Sequence, residues 1–225
     1  MKIPIVEKIL SANDRLAAEN SKLLMEKGVL VVNVMSSPGA GKTSLILKTI
    51  EALGERLRIG VIEGDVASRV DADTVEGMGV PVVQINTGGT CHLDANMVRG
   101  SFDQLPLDEL DLLLIENVGN LICPTDFALG EALKVMIPSV PEGDDKPYKY
   151  PAMFAAVDAI VVNKIDLLPY VEFDLAAFHK LVTGLNPNVR VFEVSCRTGQ
   201  GIKHWAAWLA AQRVEEVPLG GNSGT

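Results

Sequence analysis

The chain has 225 residues, 48% of them apolar, with 20 Lys and Arg against 29 Asp and Glu for a net charge of −9. That length suits one α/β domain with a well-buried core, and the acidic balance excludes a nucleic-acid footprint, which needs a clustered basic face. Cys91, Cys123 and Cys196 are too few and too scattered for a disulfide framework. No apolar run approaches the ~20 residues that span a bilayer, and residues 1–8 lack the apolar core and cleavage site of a signal peptide, so a cytoplasmic protein with no membrane partner is expected.

In chain order, Val6, Ile9, Leu10, Leu16, Ala17, Leu23 and Leu24 recur at helical spacing until Gly28 stops the pattern. Residues 1–27 are therefore predicted to form an N-terminal amphipathic helix, over 5–27, that packs on the core or docks a partner. Asn13 and Asn20 interrupt its apolar stripe. Beyond it, strand-like runs at Val29–Met35, Arg58–Glu63, Val80–Asn86, Asp111–Glu116, Lys134–Val140, Ala159–Asn163 and Val189–Val194 alternate with helical patterns at 42–53, 68–78, 91–103, 125–132, 150–157, 171–183 and 199–212. Near-continuous apolar strands interleaved with helices predict an α/β fold, a largely parallel sheet of about seven strands with helices on both faces, and the Ser36-Ser37-Pro38-Gly39-Ala40-Gly41-Lys42-Thr43 loop after the first strand makes it the P-loop NTPase type. Pro138 weakens the fifth strand, because proline donates no ladder hydrogen bond. Residues 141–151 read as an irregular polar loop, either a switch segment or a mobile surface loop. The P-loop domain is placed at 28–213, and 214–225 reads as a flexible tail.

The chemistry-bearing residues follow the strands, one after another, at the edge where open α/β sheets bind ligands. After the first comes Ser36-Ser37-Pro38-Gly39-Ala40-Gly41-Lys42-Thr43-Ser44, a strand–loop–helix phosphate cradle in which Ser36 stands where the usual motif has glycine. Backbone N–H groups from Ser37, Gly39, Ala40, Gly41 and Ser44 converge with a helix N-terminus on polyphosphate. Lys42 reaches the β/γ-phosphates, and the Thr43 hydroxyl ligates Mg2+. Glu116 ends a Walker-B-like strand and can hold a Mg2+-bound water, with Gly119 allowing close backbone approach to the γ-phosphate. Asp65 orders the attacking water or Mg2+, or else caps the following helix. Asn163-Lys164-Ile165-Asp166 selects the base: the Asp166 carboxylate accepts from guanine N1–H and its exocyclic amine together, which adenine cannot supply. Asn163 braces the P-loop, Lys164 covers the ring, and Ser195-Cys196 lies where a backbone N–H meets guanine O6. No arginine finger or water-orienting glutamine is readable, so slow intrinsic hydrolysis is expected. Cys91, His92 and Cys123 are ligand types suited to Ni2+ or Zn2+, and they converge if their strands are neighbours. Three ligands leave a tetrahedral site incomplete, to be filled by water or a two-fold partner.

Together these stretches, including Thr90-Cys91-His92-Leu93-Asp94 and Glu116-Asn117-Val118-Gly119-Asn120-Leu121-Ile122-Cys123-Pro124, resemble the HypB-type GTPases that deliver nickel in [NiFe]-hydrogenase maturation. The resemblance covers roughly residues 5–212 and implies a nucleotide-dependent homodimer with GTP or GDP and Mg2+ bound. It assigns Cys91, His92 and Cys123 to a Ni2+/Zn2+ site near the dimer interface. A small nickel-chaperone protein is implied as partner, and the hydrogenase large-subunit precursor as indirect recipient. Some members of the family carry an N-terminal Cys-x-x-Cys-Gly-Cys or a histidine-rich run, and this sequence shows neither; His179 and His204 read as ordinary surface or packing residues. The alternatives are a urease-type nickel GTPase, whose Cys-Pro-His motif is not matched, a regulatory GTP switch holding structural zinc, and a P-loop small-molecule kinase.

Overall fold

The computed structural model describes residues 4–65 and 70–216. The first helix, α1 (Pro4–Glu26), leads into β1 (Leu30–Met35), α2 (Lys42–Leu53), β2 (Ile59–Asp65), α3 (Val70–Glu76), β3 (Val82–Asn86), α4 (Ala95–Ser101) and β4 (Leu112–Glu116). Then follow β5 (Leu133–Met136), α5 (Lys146–Lys149), α6 (Pro151–Ala155), β6 (Ala159–Val162), α7 (Leu175–Leu185), β7 (Arg190–Glu193) and α8 (Ile202–Glu216). Seven strands pair in parallel in the order β3-β2-β4-β1-β5-β6-β7.

The two-residue period of the strands divides the core between the two faces of the sheet. Leu30, Val32 and Val34 of β1 join Leu112 and Leu114 of β4 against α2 and α8, where Ile46, Ile50, Trp205 and Leu209 are buried. Val31, Leu113 and Ile115 face the other way, toward Leu24 of α1, Val98 of α4 and Phe102. On that same side, beyond β1, Met136, Ile160 and Val162 pack on Met153, Phe154 and Phe178 of α6 and α7. Both faces are covered, which is why the strands read as unbroken apolar runs rather than alternating ones.

Several sequence expectations needed correction. Residues 125–132 do not form a helix: only Cys123–Thr125 makes a 3-10 turn, and Gly130 then adopts φ +101° while passing against α1. A Cβ on Gly130 would lie 2.6 Å from the Asn20 side chain and 2.9 Å from the Ala17 carbonyl, so this segment is shaped by close contact rather than by its own apolar spacing. The fifth strand stops at Met136, before Pro138; the Pro138 carbonyl instead accepts from Asn163 N at 2.8 Å. The helix expected from residue 91 begins at Ala95, where the Asp94 carboxylate accepts from Met97 N, leaving Cys91 and His92 in the preceding loop.

Residues 141–151 are folded rather than irregular. Ser139 and Glu142 form a reciprocal capping box over a 3-10 turn, Pro147 is buried, and α5 and α6 occupy the rest. At the C-terminal end α8 continues to Glu216, past the expected boundary at 213, and the rest of the expected tail, 217–225, lies outside the described residues. Residues 68–69 of the helix expected at 68–78 also lie outside them, and α3 covers 70–76.

Candidate functional site

The C-terminal ends of β1, β2, β4 and β6 open onto one edge of the sheet, and three clusters form there. The first is the phosphate cradle. Gly41 sits at φ +105°, a left-handed conformation that glycine adopts without steric cost, and among the described residues no side chain caps the α2 N-terminus behind it. The first-turn N–H groups of α2 are thus directed at the loop, with the helix dipole adding positive potential. Lys42 Nζ lies 3.4 Å from Ser36 Oγ and 3.8 Å from Glu116 Oε1. Thr43 Oγ1 donates to the same Glu116 oxygen at 3.0 Å. Ser37 Oγ donates to Glu142, which ties the cradle to the folded 140–149 segment.

Beside Lys42, three carboxylates meet. Glu63, Asp71 and Glu116 each bring an oxygen within 4.8 Å of the others. Glu63 and Glu116 are buried, and one carboxyl oxygen of each has no hydrogen-bond partner among the described residues. Burial, with the Glu116 charge beside it, pushes the Glu63 carboxyl up to about 10. Burial likewise raises Glu116 above the usual carboxylate range, although Lys42 opposes it, so without a cation the pair retains a proton at neutral pH. Two buried, underbonded carboxylates next to a hydroxyl and a phosphate cradle form an oxygen-rich donor set that fits Mg2+. Asp65 lines the same cleft with Lys42 and Gly119. Gly119 itself passes against the Pro38 ring, where a Cβ would come within 2.9 Å.

The second cluster is a cavity of about 290 Å3 lined by Gly41, Ser44, Asn163, Lys164, Asp166, Leu167, Cys196 and Arg197. Asn163 is buried, donates to Ala40 O at 3.0 Å, and accepts from Lys164 N at 2.7 Å and Cys196 N at 3.2 Å. The Cys196 N–H is therefore engaged with Asn163, not with the pocket as the sequence suggested. Lys164 is the one non-glycine residue at positive φ (63°) among the described residues, and its Nζ donates to Gly39 O at 2.7 Å. Ser195 Oγ donates to Asp166 Oδ1 at 2.6 Å, fixing that carboxylate at the mouth of the pocket. Burial pushes the Cys196 thiol up to about 11, a packing sulfur rather than a ligand.

The third cluster is Cys91, His92 and Cys123, whose ligand atoms all lie within 4.8 Å of one another. The two sulfurs are 3.2 Å apart, and Cys91 Sγ is 3.9 Å from His92 Nδ1. The hydrogen bond with Cys91 raises the Cys123 thiol above its ordinary value. Their strands, β3 and β4, are not neighbours, since β2 lies between them; the loops converge by crossing over the end of β2. Asn120 Nδ2 donates to Cys91 O at 3.2 Å, and the His92 ring stacks on Phe127 with centroids 3.9 Å apart. The loop is joined to the phosphate cleft through Leu93 N, which donates to Asn117 Oδ1 at 3.1 Å, directly after Glu116.

Glu63, Asp71, Arg197 and Phe127 carried no role in the sequence reading. A signal existed for Glu63: an acid that directly follows the apolar run Ile59–Ile62, within the strand and ahead of Gly64. Asp71 and Phe127 had none, because their places depend on how distant segments fold over the sheet.

Comparison with known proteins agrees with this geometry. The model of the CobW/HypB/UreG nucleotide-binding domain matches residues 30–193. Hydrogenase maturation factor HypB of Azotobacter vinelandii is 51% identical over 209 residues, 93% of this chain and 69% of that protein. The chain belongs to the HypB family. HypB of Escherichia coli K12 is 44% identical over 205 residues, covering 91% of this chain and 71% of the relative. Among solved structures, HypB from Helicobacter pylori in complex with nickel has a TM-score of 0.88 at 36% identity, covering 94% of this chain and 99% of that one. HypB from Archaeoglobus fulgidus follows at a TM-score of 0.85 and 41% identity, covering 90% and 99%. The matched span of this HypB-family chain holds the first and third clusters and, of the second, Gly41 to Leu167; Ser195, Cys196 and Arg197 follow it.

Proposed function

We propose that this chain is a GTPase that couples GTP binding and hydrolysis to the delivery of nickel for [NiFe]-hydrogenase maturation. The observation that carries this reading is the path from Thr43 through Glu116 and Asn117 to Leu93 and the Cys91–His92–Cys123 cluster. A change at the phosphate end of that path displaces the loop that bears two of the three cargo ligands. Nickel affinity and nucleotide state are then linked, and the linkage is reciprocal.

In this reading Asp166 and Asn163 select and brace guanine, with Lys164 against the ring. The cradle from Ser37 to Ser44 binds the phosphates, and Lys42 holds the γ-phosphate oxygens. Mg2+, when bound, supplies neutralisation of phosphate charge; Thr43 and Glu116 would hold it, with Glu63 and Asp71 beside them. Asp65 orients the attacking water, and hydrolysis is slow for want of an arginine finger. Nickel is the cargo, with Zn2+ able to occupy the same thiolate–imidazole set. A homodimer formed with GTP, a small nickel-chaperone protein and the hydrogenase large-subunit precursor are the partners this role requires, in the cytoplasm. Among the described residues no helix is long and apolar enough to cross a membrane, which is consistent with that location. A purely structural zinc is disfavoured by the exposure of Cys91.

The test compares Ni2+ affinity in chain saturated with GDP and with a non-hydrolysable GTP analogue, each with MgCl2. A difference of about tenfold or more is expected, within the usual range of coupling between sites. Equal affinity in the two states would refute nickel delivery driven by nucleotide.

A further inference from the structure

Asn13 and Asn20 interrupt the apolar stripe of α1, yet they are buried, Asn20 completely. A buried amide inside an apolar helix face costs free energy unless its hydrogen bonds are met, and both are met by backbone on the two segments that carry the metal-type ligands. Asn13 Oδ1 accepts from Ala95 N at 2.9 Å, while its Nδ2 donates to Ala128 O at 2.9 Å. Asn20 Nδ2 donates to Ala95 O at 2.9 Å and to Leu129 O at 3.1 Å. Ala95 lies three residues after His92. Ala128 follows Phe127, on which His92 stacks, and lies five residues after Cys123.

The contacts close a ring. From His92 the chain runs to Ala95, across Asn13 to Ala128, back one residue to Phe127, and through the stacked rings to His92 again. Arg99 Nη1 adds a contact to Asn20 Oδ1 at 3.4 Å, and Gly130 is pressed against the Asn20 side chain. Since β3 and β4 are separated by β2, the sheet does not itself set the distance between the two ligand loops. Side-chain ties from a third element hold it, beside the direct Asn120–Cys91 and Leu93–Asn117 contacts.

We infer that Asn13 and Asn20 are positioning residues for the Cys91–His92–Cys123 cluster, holding its two loops in register from α1. The inference rests on the proposed nickel-binding role of that cluster. It makes α1 part of the metal scaffold, not only a cover over the sheet, and it predicts that loss of either amide loosens the ligand geometry while leaving the guanine pocket alone.

The experiment uses the full chain with GDP bound. Asn13→Ser and Asn20→Ser, whose hydroxyls are too short to reach both segments, are titrated with Ni2+ under chelator competition while the thiolate-to-nickel absorption band is recorded. Asn186→Ser is the control: Asn186 Nδ2 also ties a loop, donating to Val157 O at 2.8 Å, but among elements away from the cluster. Nickel affinity is expected to fall about tenfold in the α1 variants, the usual cost of removing groups that orient ligands, with a shifted or weakened band and GDP affinity within about twofold of wild type. The control is expected to keep the wild-type band and affinity. Wild-type band and affinity in both α1 variants, or an equal loss in Asn186→Ser, would overturn the inference. Cys91→Ser separates the two levels: if it too binds nickel as wild type does, the nickel reading falls and this inference with it. If only Cys91→Ser loses nickel, the inference alone falls.

Discussion

Glu63 and Glu116 stand side by side, paired in register at the ends of β2 and β4, both buried and each with one carboxyl oxygen unpartnered among the described residues. Two like charges in an apolar sheet are tolerated because the pair keeps a proton until a cation takes its place. Glu63→Gln replaces the carboxyl that holds this proton with a neutral amide of nearly the same shape. The magnesium-free chain is expected to be at least as stable as wild type, because its folded state no longer has to take up a proton at neutral pH. The extra melting stability that MgCl2 confers in the presence of GDP is expected to shrink. Thermal unfolding with and without MgCl2 measures both, and an undiminished magnesium effect would remove Glu63 from the cation site.

The Asp166 carboxylate is held by Ser195 at the mouth of the second pocket. Asp166→Asn exchanges a charged acceptor for an amide, and a charge-assisted hydrogen bond is worth about 1.5–3 kcal/mol. GDP affinity is expected to drop about 10- to 100-fold, whereas xanthosine diphosphate, with a carbonyl where guanine has an amine, gains relative to GDP. Competition binding with GDP, XDP and ADP checks the order. Preference for ADP in the unmutated chain would overturn the guanine assignment and favour a kinase.

The three cysteines differ in environment, so they should differ in chemistry. Cys91 is exposed, Cys123 half-buried and Cys196 buried with its thiol pushed up to about 11. Maleimide labelling of the native chain at pH 7 is expected to modify Cys91 first and to leave Cys196 unmodified. Saturating Ni2+ should protect Cys91 and Cys123. Unchanged labelling of both with the metal bound would separate them from the cargo site.

Asp111 sits outside the site, bound by Arg58 through Nε at 2.9 Å and Nη2 at 3.1 Å. The Arg58 hydrogen bond holds the Asp111 carboxyl down at about 2, below the roughly 3.9 of an unfolded chain. A lowered folded value means stability that is fully present above about pH 4 and lost as pH falls from about 4 toward 2. Asp111→Asn is therefore expected to cost about 1 kcal/mol at pH 7, discounted for solvent around the exposed guanidinium. The gap from wild type should narrow below pH 4. Urea unfolding at pH 7, 5 and 3.5 reads it, and a pH-independent gap would contradict the assignment.

Much of the nucleotide machinery was readable because it is local. Ser36 to Thr43 specifies a strand, a loop and a helix start within a dozen residues, and Asn163 to Asp166 follows its own strand directly. Hydrogen bonds made within or next to those motifs, such as Lys164 N to Asn163 Oδ1, need no distant partner to be foreseen. The apolar runs likewise announced a sheet covered on both faces. Element ends were less readable where contact outweighs periodicity: residues 125–132 have helical spacing, but Gly130 turns to pass under α1.

The sequence by itself determined a parallel α/β sheet carrying a phosphate-loop motif, an Asn-Lys-x-Asp segment after the sixth strand, and a Cys-His pair with a further cysteine, because residue type and short spacing dictate those. Only the tertiary structure decided that Cys91, His92 and Cys123 meet although β2 separates their strands. It also decided that Glu63 and Asp71 join Glu116, and that two asparagines on the first helix tie the ligand loops together. These are relations across some 30 to 115 residues of chain. They depend on strand order and on which helix covers which face, and no local pattern of side chains encodes either.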